Sequence, residues 1–431
     1  MRNLCLYFQV HQPFRLRRYR FFDIGHHDNY FDEQYNAFIL NKVAEKCYRP
    51  ANSLLLALIK NSGGCFNVSF SISGTALDQF ETYAPDVLES FQELAATGHV
   101  EFLAETSTHS LSSLKCEKEF SRQVIEHTRR INKLFGQRPV ILRNTELIYS
   151  DHIGDMARKL GFKAMLTEGA DHILGWRSPN YLYHHPEETE FSLMLKNYQL
   201  SDDIAFRFSD PNWNQRPLTA DKFVHWLNAV PHAEPMINLF MDYETFGEHQ
   251  WAESGIFEFL KALPYHVFKN SDYRFVTPSE VIGKLKPVAP LSVPYPISWA
   301  DEARDLSAWL SNDLQRDAFE SLYRLSSVMH DCDDEGLIRK WRYLQTSDHF
   351  YYMCTKYFAD GDVHKYFNHY NSPYEAYINY MNVLSDFETR LEEFRKKKAQ
   401  ATPLQNGFKS KLVEEQKILI NESSRLQHAS V

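Results

Sequence analysis

"MINLFMDYETFGEH" (236–249) starts as a run that is apolar at nearly every position and ends among acids. A strand with one wet face alternates apolar and polar residues, so a run without alternation is expected to be buried on both faces, as in a parallel sheet covered by helices. Its carboxyl end carries Asp242, Glu244, Glu248 and His249. Acids in that place are either harmlessly wet or chemically employed.

The same texture recurs outward from this stretch. "LCLYFQV" (4–10), "FNVSFSI" (66–72), "HVEFLAE" (99–105), "VILRNTE" (140–146), "KAMLTEG" (163–169) and "IAFRFS" (204–209) also read as strands. Between several of them lie helical stretches: "NSLLLALIKN", "DVLESFQELAATG", "EFSRQVIEHTRRINKLFG" and "HIGDMARKLG". The last three each stop at a glycine, the residue that most readily ends a helix. Strands alternating with helices predict an α/β fold, and about seven such units predict a closed or nearly closed β/α barrel rather than an open sheet.

At residue 286 the texture changes. "KPVAPLSVPYPIS" packs prolines from Pro287 to Pro296, and neither helical nor strand periodicity survives there. Beyond it Leu306, Trp309, Leu310, Leu314, Ala318, Leu322 and Leu325 fall at helical spacing, and "SPYEAYINYMNVLSDFETRLEEF" repeats the pattern. The expected division is a catalytic barrel over 1–285, an α-helical domain over 286–395 and a polar C-terminal extension over 396–431.

The net charge of −9 over 431 residues gives no electrostatic reason to expect nucleic acid or an anionic membrane as partner. A neutral or cationic partner fits better. The opening "MRNLCLYFQVHQP" turns polar too soon for a signal peptide, and no later segment approaches a membrane span, so a cytoplasmic location is expected. The six cysteines lie far apart without a C-x-x-C pair, which argues against a zinc knuckle and a disulfide framework.

In β/α barrels the loops at the carboxyl ends of the strands converge on one mouth. The polar residues there are His11 and Gln12, Glu101 and Glu105, Arg143, Asn144 and Glu146, Glu168, Arg207 and Asp210, and Asp242 and Glu244. Side chains alternate along a strand, so Asp242 and Glu244 are expected to share one face. Two carboxyls opposed across a mouth, Glu146 and Asp242, suit glycoside hydrolysis, which needs one ionised and one protonated. Glu244 beside Asp242 supplies a like charge that raises the pKa of one partner. Aromatic loops "WRSPNYLYHH" (176–185), "SDPNWNQRP" (209–217) and "GEHQWAESG" (247–255), with His249 and Trp251 in the last, suit the apolar faces of sugar rings. Other chemistries fare worse. No G-x-G-x-x-G or G-x-x-x-x-G-K-[ST] occurs, no histidine pair has H-x-x-H or H-x-x-x-H spacing, and no nucleophile elbow is present. No metal and no cofactor is expected, and a metal-dependent polysaccharide deacetylase is a remote alternative.

"HQP" (11–13), "GHVEFLAE" (98–105), "ILRNTELIYSD" (141–151) and "FMDYETFGEH" (240–249) occur in the order of the conserved regions of glycoside hydrolase family 57, which the chain resembles. "SWADEARDLSAWLSNDLQRDAF" (298–319) and "QTSDHFYYM" (345–353) look like the helical part of its α-amylase-like members. The resemblance implies an incomplete barrel of seven β/α units with a helical domain at its mouth, and a retaining mechanism on α-glucosidic bonds without a metal. By it Glu146 is the nucleophile and Asp242 the acid/base. His11 lies near the bound sugar, Glu101 is the acid of the second region, and Asp305 and Trp309 resemble the Asp and Trp of the fifth. Gln12, Arg143, Glu244, His249 and Trp251 complete the expected substrate contacts. The implied activity is α-amylase-type hydrolysis of glycogen, starch or maltodextrins, with glucan transfer by a 4-α-glucanotransferase or branching enzyme as the alternative.

Overall fold

The computed structural model describes residues 1–356 and 368–427, with side chains through residue 400. Among the described residues nine strands form: β1 (Arg2–Val10), β2 (Val68–Ile72), β3 (Val100–Phe102), β4 (Ile141–Arg143), β5 (Ala164–Glu168), β6 (Tyr183–His185), β7 (Glu188–Lys196), β8 (Met236–Asp242) and β9 (Tyr273–Phe275). β1 pairs in parallel with β2 on one side and β8 on the other, and β2 pairs with β3. A bridge between Ala104 and Leu142 passes the ladder to β4, which continues to β5 and β7. Asn197 N–H donates to the Asn238 carbonyl (2.9 Å), and the Asn238 side-chain amide donates to the Leu195 carbonyl (2.8 Å). Seven parallel strands thereby run almost full circle, with the β7–β8 seam held by an asparagine instead of a regular ladder. The incomplete seven-unit barrel is the observed fold.

The buried runs are explained by two cores. Leu4, Leu6, Phe8 and Val10 of β1 point outward into the layer of helices, with Leu55, Phe80, Phe91, Phe223 and Leu260. Cys5 and Tyr7 point inward with Ile141, Leu166, Met194 and Phe240. With both faces covered, every residue of β1 is buried and polar alternation is absent. The inward row grows polar toward the carboxyl ends: Cys5, Tyr7, Gln9, His11. Tyr7 and Ser71 hydroxyls donate to Gln9 Oε1 (2.8 and 2.6 Å), which keeps these groups satisfied below the mouth.

Six of the seven expected barrel strands are present, and one is displaced. Residues 204–209 are not a strand. Asn197 caps a helix over Tyr198–Ala205 by accepting from Leu200 N–H (3.1 Å), and the sixth barrel strand is Glu188–Lys196, just before it. The misreading arises because the first third of that strand is polar and partly solvated while the short helix carries Ile204 and Ala205 inward.

By packing, Met1–Arg17 and Phe31–Ile378 form one compact unit, and Arg18–Tyr30 with Asn379–Val431 form a second. Short helices follow residue 306 in the first unit, among them Asp313–Arg324, Glu335–Leu344 and Ser347–Tyr351. Within it, the boundary at residue 286 is proposed on the proline run alone. Of the helix Pro373–Gln427, the part from Asn379 belongs to the second unit and is joined to the 18–30 segment through Asp386, which accepts from Tyr30 Oη (2.6 Å) and Gly25 N–H (2.6 Å). The polar tail from 396 continues this helix, and residues 428–431 lie outside the described residues.

Candidate active site

A cavity of about 1210 Å³, counted out to its mouth, opens at the carboxyl ends of β1, β7 and β8. Its lining includes His11, Gln12, Glu146, Asp242, Glu244, His249 and Trp309 among the expected residues.

Glu146 sits in a single 3-10 turn, Thr145–Leu147, directly after β4. Asn144 shapes the turn by donating to the Ile148 carbonyl (2.9 Å) and to Ser113 Oγ (2.9 Å). Glu146 and Leu147 both take left-handed backbone, φ 56° and 51°. Such conformations cost of order 1–3 kcal/mol per non-glycine residue and persist only where the surroundings enforce them. Here they turn the carboxylate into a ring of donors. Oε1 accepts from His109 Nε2 (3.1 Å) and Ser347 Oγ (3.4 Å), and Oε2 accepts from Trp299 Nε1 (2.7 Å). Trp299 N–H also donates to the Glu146 carbonyl (3.2 Å), and Tyr149 and Ile297 exchange two backbone bonds beside it. Burial alone would raise the Glu146 pKa. The hydrogen bond and charge of His109, the charge of Arg143 and the Trp299 bond outweigh burial and hold it at about 2.

Asp242 ends β8, opposite Gln9 in the ladder. Burial first, then the negative charge of Glu146, pushes its pKa up to about 6, against the pull of Arg143, Lys196 and His109. Glu146 is the like charge acting on Asp242. Glu244, expected to play that part, lies in the 3-10 turn Tyr243–Thr245 beyond the strand and accepts from Tyr48 Oη. Burial and the Asp242 charge raise Glu244 to about 8, so of this pair it is Glu244 that is neutral at pH 7. One pocket thus holds an ionised carboxyl and protonatable ones, kept apart by their surroundings.

His11 lines the pocket just beyond β1. Its Nδ1 meets Ser73 Oγ (2.8 Å), its Nε2 meets Asp348 Oδ2 (2.8 Å), and its ring stacks on His109 with centroids 3.9 Å apart. Burial and the His109 charge lower its pKa, and burial notwithstanding, His11 holds Asp348 well below the usual carboxylate range. Gln12 is buried and receives a bond from Arg15 Nη2 (3.3 Å). Arg143 is fully buried behind the pocket wall, its guanidinium over the Trp299 ring at 4.8 Å, so it acts on the carboxyls through its charge and not as a lining group.

Three expected contacts stand elsewhere. Glu101 accepts from Ser279 N–H (2.9 Å) and from the Ser279 hydroxyl, fastening the start of the helix Pro278–Lys284. It sits on β3 opposite Ser69, short of the carboxyl end of β2 at Ile72. Trp251 is 60% exposed outside the pocket lining. Asp305 is exposed and accepts from Ser307 N–H (2.8 Å), while Trp309 alone of that pair reaches the pocket. Asp348 is the acid that the later part of the chain delivers. Arg207 pairs with Asp203 (2.6 Å), and Arg207 and Asp210 are both outside the lining.

Sequence reasoning passed over His109, Lys196, Asp202, Trp299, Asp348, Tyr351 and Tyr352, all of which line the pocket. Asp348 lies inside the quoted "QTSDHFYYM", so the motif was visible although no residue in it was singled out. Lys196 ends the strand that was misplaced. It is buried against Asp202 (2.9 Å) and Glu168 (3.5 Å), with Arg304 completing the cluster by reaching Asp202 (3.2 Å). His109 carries no local pattern at all.

The glycosyl hydrolase family 57 pattern matches residues 5–294. The chain belongs to this family. A protein of Methanocaldococcus jannaschii named "Putative alpha-amylase" is 44% identical over 402 residues, covering 90% of this chain and 84% of that one. Among solved structures, a family 57 branching enzyme from Pyrococcus horikoshii superposes with TM-score 0.65 at 14% identity, covering 92% of this chain and 91% of the other. The α-amylase AmyC from Thermotoga maritima gives 0.61 at 15% identity, covering 91% and 94%. A 4-α-glucanotransferase from Thermococcus litoralis gives 0.59 at 15%, with 81% of this chain spanning 55% of that structure. At these identities the likeness is one of fold. Family 57 membership makes the protein a glycoside hydrolase and sets the deacetylase alternative aside. No helix among the described residues is long and apolar enough to cross a membrane.

Proposed function

We propose that this family 57 chain cleaves α-1,4-glucosidic bonds of glycogen, starch or maltodextrins by retaining double displacement, with Glu146 as nucleophile and Asp242 as acid/base. The observation that carries the reading is the opposed state of the two carboxyls in one pocket, Glu146 held at about 2 and Asp242 pushed to about 6. Ionised Glu146 attacks the anomeric carbon as Asp242 gives its proton to the departing glucosyl oxygen. The resulting ester carries no charge, so Asp242 loses the neighbour that raised it and its pKa falls. Asp242 then takes a proton from the incoming water, and hydrolysis restores Glu146. His11, Gln12 and neutral Glu244 offer hydrogen bonds to sugar hydroxyls, and Trp309 offers a ring face.

The pH dependence follows from these two groups. Glu146 must be ionised and Asp242 protonated, so kcat/KM is expected to rise through about 2 and to fall through about 6. Initial rates of reducing-sugar release from about pH 1.5 to pH 9 check this. A profile still rising from pH 6 to pH 8 contradicts the assignment of Asp242 as the acid.

Glucan transfer with the same carboxyl pair is the second reading. Tyr351 and Tyr352 line the pocket beside Trp309 and offer ring faces to an acceptor sugar as readily as to a donor. Chromatography of the products from a single pure maltooligosaccharide separates the readings. Shorter products alone mean hydrolysis, longer ones mean transfer, and an untouched substrate defeats both. A cytoplasmic setting is proposed with the α-glucan substrate, supported by six cysteines without a disulfide.

A further inference from the structure

The segment that follows β3 brings one histidine into an unusual place. His109 is 2% exposed and takes left-handed backbone, φ 52°, as Glu146 does. Its two ring nitrogens face two carboxylates: Nδ1 meets Glu105 Oε2 (3.0 Å) and Nε2 meets Glu146 Oε1 (3.1 Å). A neutral imidazole carries one N–H and donates once, whereas an imidazolium donates from both nitrogens, which two carboxylate acceptors require. Glu105 is itself fully buried and accepts from Gln9 Nε2 at 3.4 Å. The segment is tied in place from the far side as well, since Ser347 N–H donates to the His109 carbonyl (3.0 Å).

We infer that Glu105 and His109 form a charged positioning relay, in which Glu105 keeps His109 as a doubly donating imidazolium that aims Glu146. The inference rests on the reading of Glu146 and Asp242 given above. Other charges face the same ring. His11 stacks on it, Asp348 stands behind His11, Asp242 and Arg143 face Glu146, and His127 lies beside Glu105. Of these His11 and Arg143 oppose a charge on His109, while Glu105, Glu146, Asp242 and Asp348 favour it. The balance is reflected in a His109 pKa that burial would lower but that the two carboxylates raise to about 9.

His109→Gln leaves a neutral amide that donates to Glu146 at most. Its kcat is expected to fall about 10²-fold, the scale of losing one preorganised donor, with KM changed by less than about threefold. Because the His109 charge lowers both Glu146 and Asp242, both limbs of the pH profile are expected to move upward, the acid limb by more than about one unit. Glu105→Gln keeps the imidazole and is expected to move the limbs the same way by less. It also serves if the first variant fails to fold by circular dichroism. Limbs that stay in place in a folded variant overturn the relay, even where activity is lost. Histidine-selective ¹⁵N spectra give a readout free of catalysis. The resonance missing from His109→Gln should show the imidazolium pattern at pH 7 in the native enzyme and lose it at lower pH in Glu105→Gln. A neutral His109 at pH 7 overturns the inference. A native enzyme that leaves α-glucans intact instead defeats the functional reading, and the spectra still decide the charge.

Discussion

Glu146→Ala is expected to reduce kcat on maltooligosaccharides by at least about 10⁴-fold, since loss of a covalent nucleophile removes the reaction path and not merely one favourable contact. The variant leaves a space lined by the same donors, Trp299 Nε1 and His109 Nε2, that hold the native carboxylate. A small anion such as azide fits such a place. Added azide is expected to restore turnover of an α-glucosyl fluoride and to yield the β-glucosyl azide, because a single displacement inverts the anomeric centre. Product analysis by NMR reads the configuration. An α-azide, or a folded variant with native kcat, removes Glu146 from the role. Without azide, buried Trp299 Nε1 and His109 Nε2 lose their carboxylate acceptor, so a modest loss of thermal stability is also expected.

Asp242→Asn carries the second large effect, and its pattern differs. Protonating the leaving group matters most when that group is a poor one, so hydrolysis of natural glucans is expected to fall about 10³-fold or more while cleavage of an α-glucosyl fluoride falls far less in its first step. Azide here intercepts the glycosyl-enzyme and is expected to give the α-glucosyl azide. The two variants thus yield opposite anomers, and identical anomers from both contradict the division of labour. Stability follows its own sign. Burial and the Glu146 charge raise Asp242 in the fold from the ordinary value of 3.8 to about 6. Its contribution to stability is therefore present below the ordinary value and lost as pH rises through about 6. At pH 7 the amide removes a costly buried charge. A Tm equal to or a few degrees above that of the native protein is expected there, with no gain at pH 4.

How far the sequence carried these conclusions depends on periodicity. The strands β1, β2, β5 and β8 were legible because both of their faces are buried, which leaves an apolar run without polar alternation. β7 was missed because its first residues are exposed and polar, and the helix after it imitates the expected run. Glu146 and Asp242 were legible because both stand where a strand ends. His109 was not, because its importance comes from a backbone turn that places it against a residue 37 positions later. Glu101 and Asp305 were misplaced for a related reason. Distance along a strand or beyond a turn decides whether a carboxyl meets the cavity or a neighbouring helix, and one residue type reads the same in either place. Asp348 reaches His11 across 337 positions of sequence, a pairing no local pattern encodes.

That long reach has a consequence for how the protein comes into being. Trp299, Ser347 and Asp348 all lie beyond the proline run, yet they complete the surroundings of Glu146 and His11 that the first 285 residues leave unfinished. A nascent chain emerging from the ribosome amino end first holds Glu146 and Asp242 long before it holds these partners. The pocket therefore gains its full set of donors only after residues 299–348 have been made.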